Sequence, residues 1–349
     1  MRAAFFAGDR KVEIREVPRP KPGMGEVLVR MKASGICGSD IGFTPYRKTS
    51  NELGEEQKNL IRGHEPCGVV EELGPCARNV KPGDRVIVHH YFGCRQCEPC
   101  LGGWTQMCEE GVRRGHGLVM GIHVNGGHAD YVVALDTSCV PLPEAVSFEE
   151  GAWLACGAAT SYQALTRLEV SGRDTLAIFG QGQVGLSATA LARAMGARVI
   201  ALDAVVERLE FSKQAGADET VDVGQADAVQ AILDLTGGRG ADATLECSAV
   251  EEARVNCLKS TKDWGRACFV GELGKATFEM TPQIIHKQLT IYGSWTFSTH
   301  SLRDAARFVA EHAVPLKDFI SYILPLEKAD EAYQLFEEGK PGKMVLVMS

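Results

Sequence analysis

Four cysteines between positions 94 and 108 follow the pattern Cys94-x2-Cys97-x2-Cys100-x7-Cys108. Four thiolates on one short loop can close a tetrahedron around zinc, and a site with all four positions filled by protein is structural rather than catalytic. Gly93, Pro99, Gly102 and Gly103 suit the tight folding that this needs. The competing readings are disulfides and ordinary buried thiols. Disulfides are disfavoured in a reducing compartment, and four unrelated buried thiols seldom share this spacing.

Three further donors are scattered: Cys37 in Gly35-Ile36-Cys37-Gly38-Ser39-Asp40, His64 in Gly63-His64-Glu65, and Cys156 in Leu154-Ala155-Cys156-Gly157. Three protein ligands leave a fourth position for water or substrate, the condition for catalytic zinc. Spacing does not by itself bring them together: an isolated cysteine is more often a buried thiol, and an isolated histidine a satisfied core residue. His89, His90, His116, His123 and His128 gather around the cysteine loop in sequence without a repeated ligand spacing, and read as structural.

The turn Gly180-Gln181-Gly182-Gln183-Val184-Gly185 has the form G-x-G-x-x-G. It follows an expected strand and opens an expected helix, the context that turns a common glycine-rich turn into a dinucleotide fingerprint. Gly180 would make the tight turn, Gly182 would admit the pyrophosphate to the backbone, and Gly185 would let helix and strand pack. Asp203, 18 residues after Gly185, can accept both ribose hydroxyls and would repel a 2′-phosphate, which favours NAD over NADP. Arg208, one turn into the next helix, tempers that preference. Val270 and Gly271, at the end of a later strand, complete the expected cofactor-binding set.

The elements that must position these groups change character along the chain. Residues 1 to about 150 carry short β-branched runs (Lys11–Val17, Glu26–Met31, Gly68–Leu73, Arg85–His89, Tyr131–Ala134) between Gly and Pro turns, a barrel-like or sandwich pattern. From about Gly151, strands alternate with helices: Thr175–Phe179, Gln183–Met195, Arg198–Asp203, Val206–Ala215, Thr220–Val223, Ala226–Leu235, Ala241–Cys247, Val250–Ser260, Gly265–Val270 and Leu289–Ser294. Such alternation predicts βαβ units and a parallel sheet covered on both faces. Two amphipathic helices, Leu302–Ala313 and Lys328–Glu338, and an edge strand, Lys343–Met348, follow. Residues 44–60 read as a polar, exposed loop.

The chain has 349 residues, 45% hydrophobic and 23% charged, with 37 Lys and Arg against 45 Asp and Glu and a net charge of -8. That length predicts two domains, and that apolar content excludes a largely disordered chain. No basic stripe suggests nucleic acid. The softest apolar stretch, Gly151 to Leu165, falls well short of the ~20 residues that span a bilayer, and the early charges Asp9, Arg10 and Lys11 leave no signal-peptide core. A cytoplasmic protein without membrane partners is expected. Twelve cysteines in a chain of this size point to metal ligands and buried thiols.

Together these residues resemble the zinc-containing medium-chain dehydrogenase/reductase family, which includes alcohol, sorbitol and threonine dehydrogenases. The stretch GHEPCGVVEELGPCA from Gly63 to Ala77 fits that family's zinc signature, the cysteine loop its structural-zinc lobe, and the glycine turn with Asp203 its NAD domain. The resemblance covers essentially the whole chain. It implies an α/β plus β fold class: a GroES-like β-barrel catalytic domain (1–150, resumed at 292–349) around an inserted Rossmann doubly wound parallel-sheet domain (151–291). It further implies two zinc ions per chain, one on Cys37, His64 and Cys156 and one on Cys94, Cys97, Cys100 and Cys108. Glu65 resembles the carboxylate that can approach the catalytic metal, Asp40 the acid that fixes the histidine ligand, and Ser39 the hydroxyl that takes the substrate's proton. A homodimer or homotetramer is the family's usual assembly.

Two departures stand out. Many relatives carry a histidine five positions after the first zinc cysteine, ending a proton relay, where this chain has Gly42. Polyol dehydrogenases often carry Glu where this chain has Cys156. The implied activity is reversible hydride transfer between NAD and a secondary alcohol, polyol or sugar. Phe43, Tyr46, Trp153, Trp295 and Phe297 are the implied neighbours of the substrate, with core packing as the alternative for each. Two other functions stay open: a zinc-independent NAD(P)H reductase of activated double bonds, and a non-catalytic NAD-binding protein.

Overall fold

The computed structural model describes residues 1–111 and 118–349; the sequence-stretch histidine His116 lies outside them. The described chain divides into two units. One comprises Met1–Ala159, Phe297–Glu311 and Ile320–Ser349; the other comprises Thr160–Thr296 and His312–Phe319.

The first unit is organised by strand Glu26–Ile36, whose Val27, Leu28, Val29, Met31, Ala33 and Ile36 are all buried. A strand apolar on both faces must be covered on both. It pairs antiparallel along one edge with Glu65–Leu73. Its other edge is divided between Tyr131–Leu135, opposite Glu26 to Arg30, and Lys343–Val347, opposite Ala33 to Ile36. Register shifts between Leu28 and Val29 and between Met31 and Ala33 bend the strand so that one edge can serve two partners. Phe6, Val29, Met31, Tyr46, Val88, Tyr333 and Leu346, from both ends of the chain, fill the core.

Lys343–Val347 is not the edge strand its terminal position suggests. It lies between Glu26–Ile36 and an unforeseen strand, Ile320–Pro325, which runs parallel to it. Burial explains the difference: Lys343 to Leu346 are buried, whereas Ile320–Pro325 exposes every second residue. The polar stretch 44–60 is mostly exposed but anchors itself through Pro45–Arg47, where the Tyr46 ring sits 5.2 Å from both Phe6 and Tyr333.

Helix Phe148–Trp153 and the π-helical turn Leu154–Ala158 pack on strands Glu26–Ile36 and Glu65–Leu73. The small residues that change the composition near Gly151 therefore serve close packing within the first unit. That is why the first division falls after Ala159 rather than at 150; the second falls after Thr296 rather than at 291.

The second unit holds a parallel sheet in the order Glu219–Asp222, Arg198–Asp203, Thr175–Phe179, Ala241–Glu246, Thr261–Phe269, Thr290–Gly293. Counted along the chain this is 3-2-1-4-5-6, the doubly wound order whose switch point lies beside the first strand. Helix Gln183–Ala194 buries Leu186, Leu191 and a row of Ala, Ser and Thr, small enough to lie close to the sheet. Among the described residues no helix is long and apolar enough to cross a membrane.

The helix that delivers Cys156 starts with a reciprocal cap. The Ser147 hydroxyl accepts the Glu150 N–H at 3.2 Å, and the Glu150 carboxylate accepts the Ser147 N–H at 2.9 Å. Removing such a cap costs about 1 kcal/mol. Ser147→Ala should lower the free energy of urea unfolding by that amount, moving the midpoint down while the slope of the transition stays unchanged.

Candidate metal centre and dinucleotide site

Donor atoms of Cys37, His64, Glu65 and Cys156 lie within 4.8 Å of one another, and those of Cys94, Cys97, Cys100 and Cys108 do so separately. The structure thus brings together the scattered trio that spacing alone could not assemble.

Each member of the first group sits at an element boundary. Cys37 follows strand Glu26–Ile36 and caps the short helix Gly38–Gly42. His64 precedes strand Glu65–Leu73, which Glu65 opens. Cys156 lies in the π-helical turn, a distortion common where a helix must aim a functional side chain. Asp40 ties two of them together: its carboxylate accepts the Cys37 N–H at 2.9 Å and meets His64 Nδ1 at 2.8 Å. A proton on Nδ1 leaves Nε2 as the lone-pair donor.

The environment favours a cation. Among the described residues His64 Nε2 and Glu65 Oε1 are buried without a hydrogen-bond partner, a costly state for atoms able to bind one. Burial opposes a charge on His64, but the Asp40 carboxylate overrides it and holds the imidazole well above its usual range. A hydrogen bond from Cys156 holds the Cys37 thiol well below its ordinary value, and the same contact raises Cys156. The pair therefore titrates as one unit with thiolate character, the form that binds soft metals.

Glu65 has a partner that the sequence reading missed. Lys343, fully buried, reaches the Glu65 carboxylate and donates to the Ile36 carbonyl at 2.9 Å. Its signal was a lone lysine opening the apolar run Lys343–Val347. Burial still raises the Glu65 pKa to about 7, against the pull of Lys343.

In the cysteine loop, Cys97 Sγ stands 3.9 Å from Cys108 Sγ. A disulfide needs about 2.05 Å, whereas a tetrahedron with Zn–S of about 2.3 Å has edges of about 3.8 Å. Backbone N–H groups of Gln96 and Cys97 point at the Cys94 sulfur and lower its pKa to about 6. No described cysteine is in a disulfide. Both donor sets fit zinc.

Ser39 is half-buried and Gly42 exposed on the same short helix. The aromatic set divides. Tyr46 is fully buried between Phe6 and Tyr333, Trp153 has no exposed surface, and Phe297 packs edge-on against His89 at 5.2 Å. All three are fully buried, and the rings of Tyr46 and Phe297 pack against rings far away in the sequence. Phe43 is 43% exposed, and Trp295, in the second unit, is half-buried. The histidines have structural partners: His89 Nε2 with the Phe297 carbonyl, His90 Nδ1 with the Ala155 carbonyl, His123 Nδ1 with the Val119 N–H, and His128 with Ser34 and Tyr333.

In the second unit, Gly180 turns the chain at φ +89°, and a Cβ on Gly185 would lie 1.7 Å from the Gly180 carbonyl oxygen. Nothing lies within 4 Å of a Cβ on Gly182, so the backbone there faces open space. Helix Gln183–Ala194 begins at Gly182 without a side-chain cap, leaving its N-terminal dipole for an anion. Asp203 accepts the Gln181 N–H at 2.6 Å and the Val205 N–H at 2.9 Å, with Arg208 at 3.8 Å. Each carboxylate oxygen keeps a further lone pair for a hydroxyl. The Gln181 side chain is buried and holds Thr189, Ser212 and the Ile178 carbonyl, so it serves the fold rather than a ligand. Val270 and Gly271 lie at the same, C-terminal edge of the sheet and donate to the Glu246 carbonyl.

Comparison with known proteins agrees with this arrangement. The model of the alcohol dehydrogenase GroES-like domain matches residues 23–144, and that of the zinc-binding dehydrogenase matches residues 184–311. An uncharacterized zinc-type alcohol dehydrogenase-like protein, YphC, of Escherichia coli is 37% identical over 99% of this chain and 98% of its own. An alcohol dehydrogenase of Geobacillus stearothermophilus is 34% identical over 99% of each. A solved NAD-dependent alcohol dehydrogenase superposes with a TM-score of 0.84 at 30% identity, covering 100% of both chains.

Burial depresses the His128 pKa from 6.5 to about 4. Between those values the unfolded chain binds a proton that the folded chain refuses, so stability falls as pH drops, by up to about 1.4 kcal/mol per pH unit. His128→Gln should flatten the fall measured by urea unfolding at pH 7, 6 and 5.

Proposed function

Because the chain belongs to the zinc-containing medium-chain dehydrogenase/reductase family, we propose that it is a zinc-dependent oxidoreductase that exchanges hydride reversibly between NAD and a secondary alcohol, polyol or sugar. The observation that carries this reading is the buried group of Cys37, His64, Glu65 and Cys156 with an unpartnered His64 Nε2.

Cys37, Cys156 and His64 hold the catalytic ion in this reading, and Cys94, Cys97, Cys100 and Cys108 hold a structural one, giving two zincs per chain. Bound at three protein ligands, zinc supplies Lewis-acid polarisation of the alcohol oxygen. Asp40 keeps His64 in the metal-binding tautomer. Glu65, anchored by Lys343, stays within reach of the ligand atoms. Ser39 takes the substrate's proton. Its half-exposure and the absence of a side chain at Gly42 let water receive that proton without a relay histidine. The Gly180–Gly185 turn cradles the pyrophosphate, Val184, Val270 and Gly271 border the cofactor, and Asp203 selects NAD by its ribose hydroxyls. The hydride chemistry itself belongs to the cofactor. Thiolate ligands in place of disulfides suit the cytoplasm, and a homodimer or homotetramer is the assembly we favour.

Metal analysis should return two zincs per chain. Cys37→Ala or His64→Ala should remove one and cut NAD-linked turnover at least a thousandfold while leaving NADH binding intact. Full activity in either variant, or activity surviving complete zinc removal, would refute the assignment.

Asp203→Ala should raise kcat/KM with NADP relative to NAD by at least tenfold, since it removes the carboxylate that repels a 2′-phosphate and leaves Arg208 beside the site. Steady-state rates with both cofactors, on a panel of polyols, sugars and secondary alcohols, provide the measurement.

A further inference from the structure

The two edges of the parallel sheet in the second unit differ in what they offer. The C-terminal edge carries Gly180 and Asp203. At the N-terminal edge, a cavity of about 400 Å³ is lined by Arg173, Arg198, Arg239 and Lys262 with Asp242 as its one carboxylate. Thr175 and Arg198 open their strands, and Asp242 and Lys262 are the second residues of theirs. Four cations thus converge where four neighbouring strands begin.

Four cations against Asp242 in the lining and Glu219 paired to Arg198 leave a local excess of two positive charges in a chain whose net charge is -8. Part of that excess is fixed in place. Asp242 accepts the Thr175 N–H at 2.7 Å and contacts the Lys262 ammonium. Arg198 donates to the Leu235 carbonyl at 3.0 Å and stands 3.8 Å from Glu219. Arg173 and Arg239 are exposed, and among the described residues neither guanidinium is hydrogen-bonded or ion-paired. Gly237 lines the cavity next to them, and nothing lies within 4 Å of where a Cβ on it would sit. The mouth therefore stays open to a ligand.

A concave surface of one sign concentrates the field of its charges and raises the local concentration of counter-ions. Guanidinium groups favour phosphate over simple anions because their paired N–H donors match phosphate oxygens two at a time. The volume lies within the range of small-ligand sites. We propose that this cavity is a binding site for a phosphate-bearing small molecule, separate from the dinucleotide turn, with Arg173 and Arg239 as the groups that close on the phosphate. Lys262 and Arg198 supply fixed charge beneath it, and Asp242 holds Lys262 in place.

The test uses the whole protein with saturating NAD, so that phosphate does not compete for the glycine turn. Inorganic phosphate and glycerol 3-phosphate are titrated calorimetrically at constant ionic strength, with sodium chloride as the control. The expected result is saturable binding at one site per chain, weakened at least tenfold in the Arg173→Ala/Arg239→Ala double variant, while NAD affinity and turnover stay unchanged. Both arginines are exposed and neither guanidinium is hydrogen-bonded among the described residues, so the variant is expected to fold normally, checked by an unchanged thermal midpoint. No saturable binding of either probe, or equal binding in the double variant, overturns the proposal.

Discussion

A single buried carboxylate sets the geometry of the donors in the first unit. Asp40 is 1% exposed, and a carboxylate so placed needs partners to remain charged. It finds them in the backbone N–H of Cys37 and the Nδ1 of His64, which together hold its pKa below the ordinary range although burial pushes the other way. The same two contacts orient one residue from the end of strand Glu26–Ile36 and one from the start of strand Glu65–Leu73. Those strands are already neighbours in the sheet, so a short capping turn is enough to bring their donors together. The π-helical turn then adds Cys156. The pairing of Glu65 with Lys343 settles the remaining buried charge, since either alone would be an uncompensated ion in the interior.

The second unit uses the same device for a different end. Asp203 spends its carboxylate on the N–H groups of Gln181 and Val205, fixing the loop after the first strand against the loop after the second. Gly185 brings the helix so close to Gly180 that a methyl group would not fit. In both units a buried carboxylate that follows a strand, Asp40 in the short helix after Ile36 and Asp203 at the end of its own strand, holds a neighbouring backbone N–H in place.

The parts of this arrangement legible in the sequence were the local ones. The glycine turn, the strands on either side of it and the cysteine loop each lie within a few consecutive residues, so spacing carries their meaning. Cys37, His64 and Cys156 are far apart in the chain; the family resemblance, not spacing, joined them, and the sheet now shows how they meet. Lys343 escaped notice because only a tertiary contact distinguishes it from a terminal surface lysine. Lys343–Val347 read as an edge because Ile320–Pro325, with its weak alternation, gave no clear strand signal. Tyr46, Trp153 and Phe297 are fully buried, a property that the sequence alone does not show. The helix around Gly151 marked a change in composition, yet its small residues belong to packing on the first sheet.

The proposed function requires two zincs held by different donor sets, one all sulfur and one of two sulfurs and an imidazole. X-ray absorption at the zinc edge of the purified protein tests it most directly. The account predicts a mixed shell in which sulfur at about 2.3 Å predominates over nitrogen or oxygen at about 2.0–2.1 Å, with the nitrogen contribution lost when His64 is replaced by Ala. A shell of four sulfurs alone with one zinc per chain, or a shell without sulfur, would contradict it.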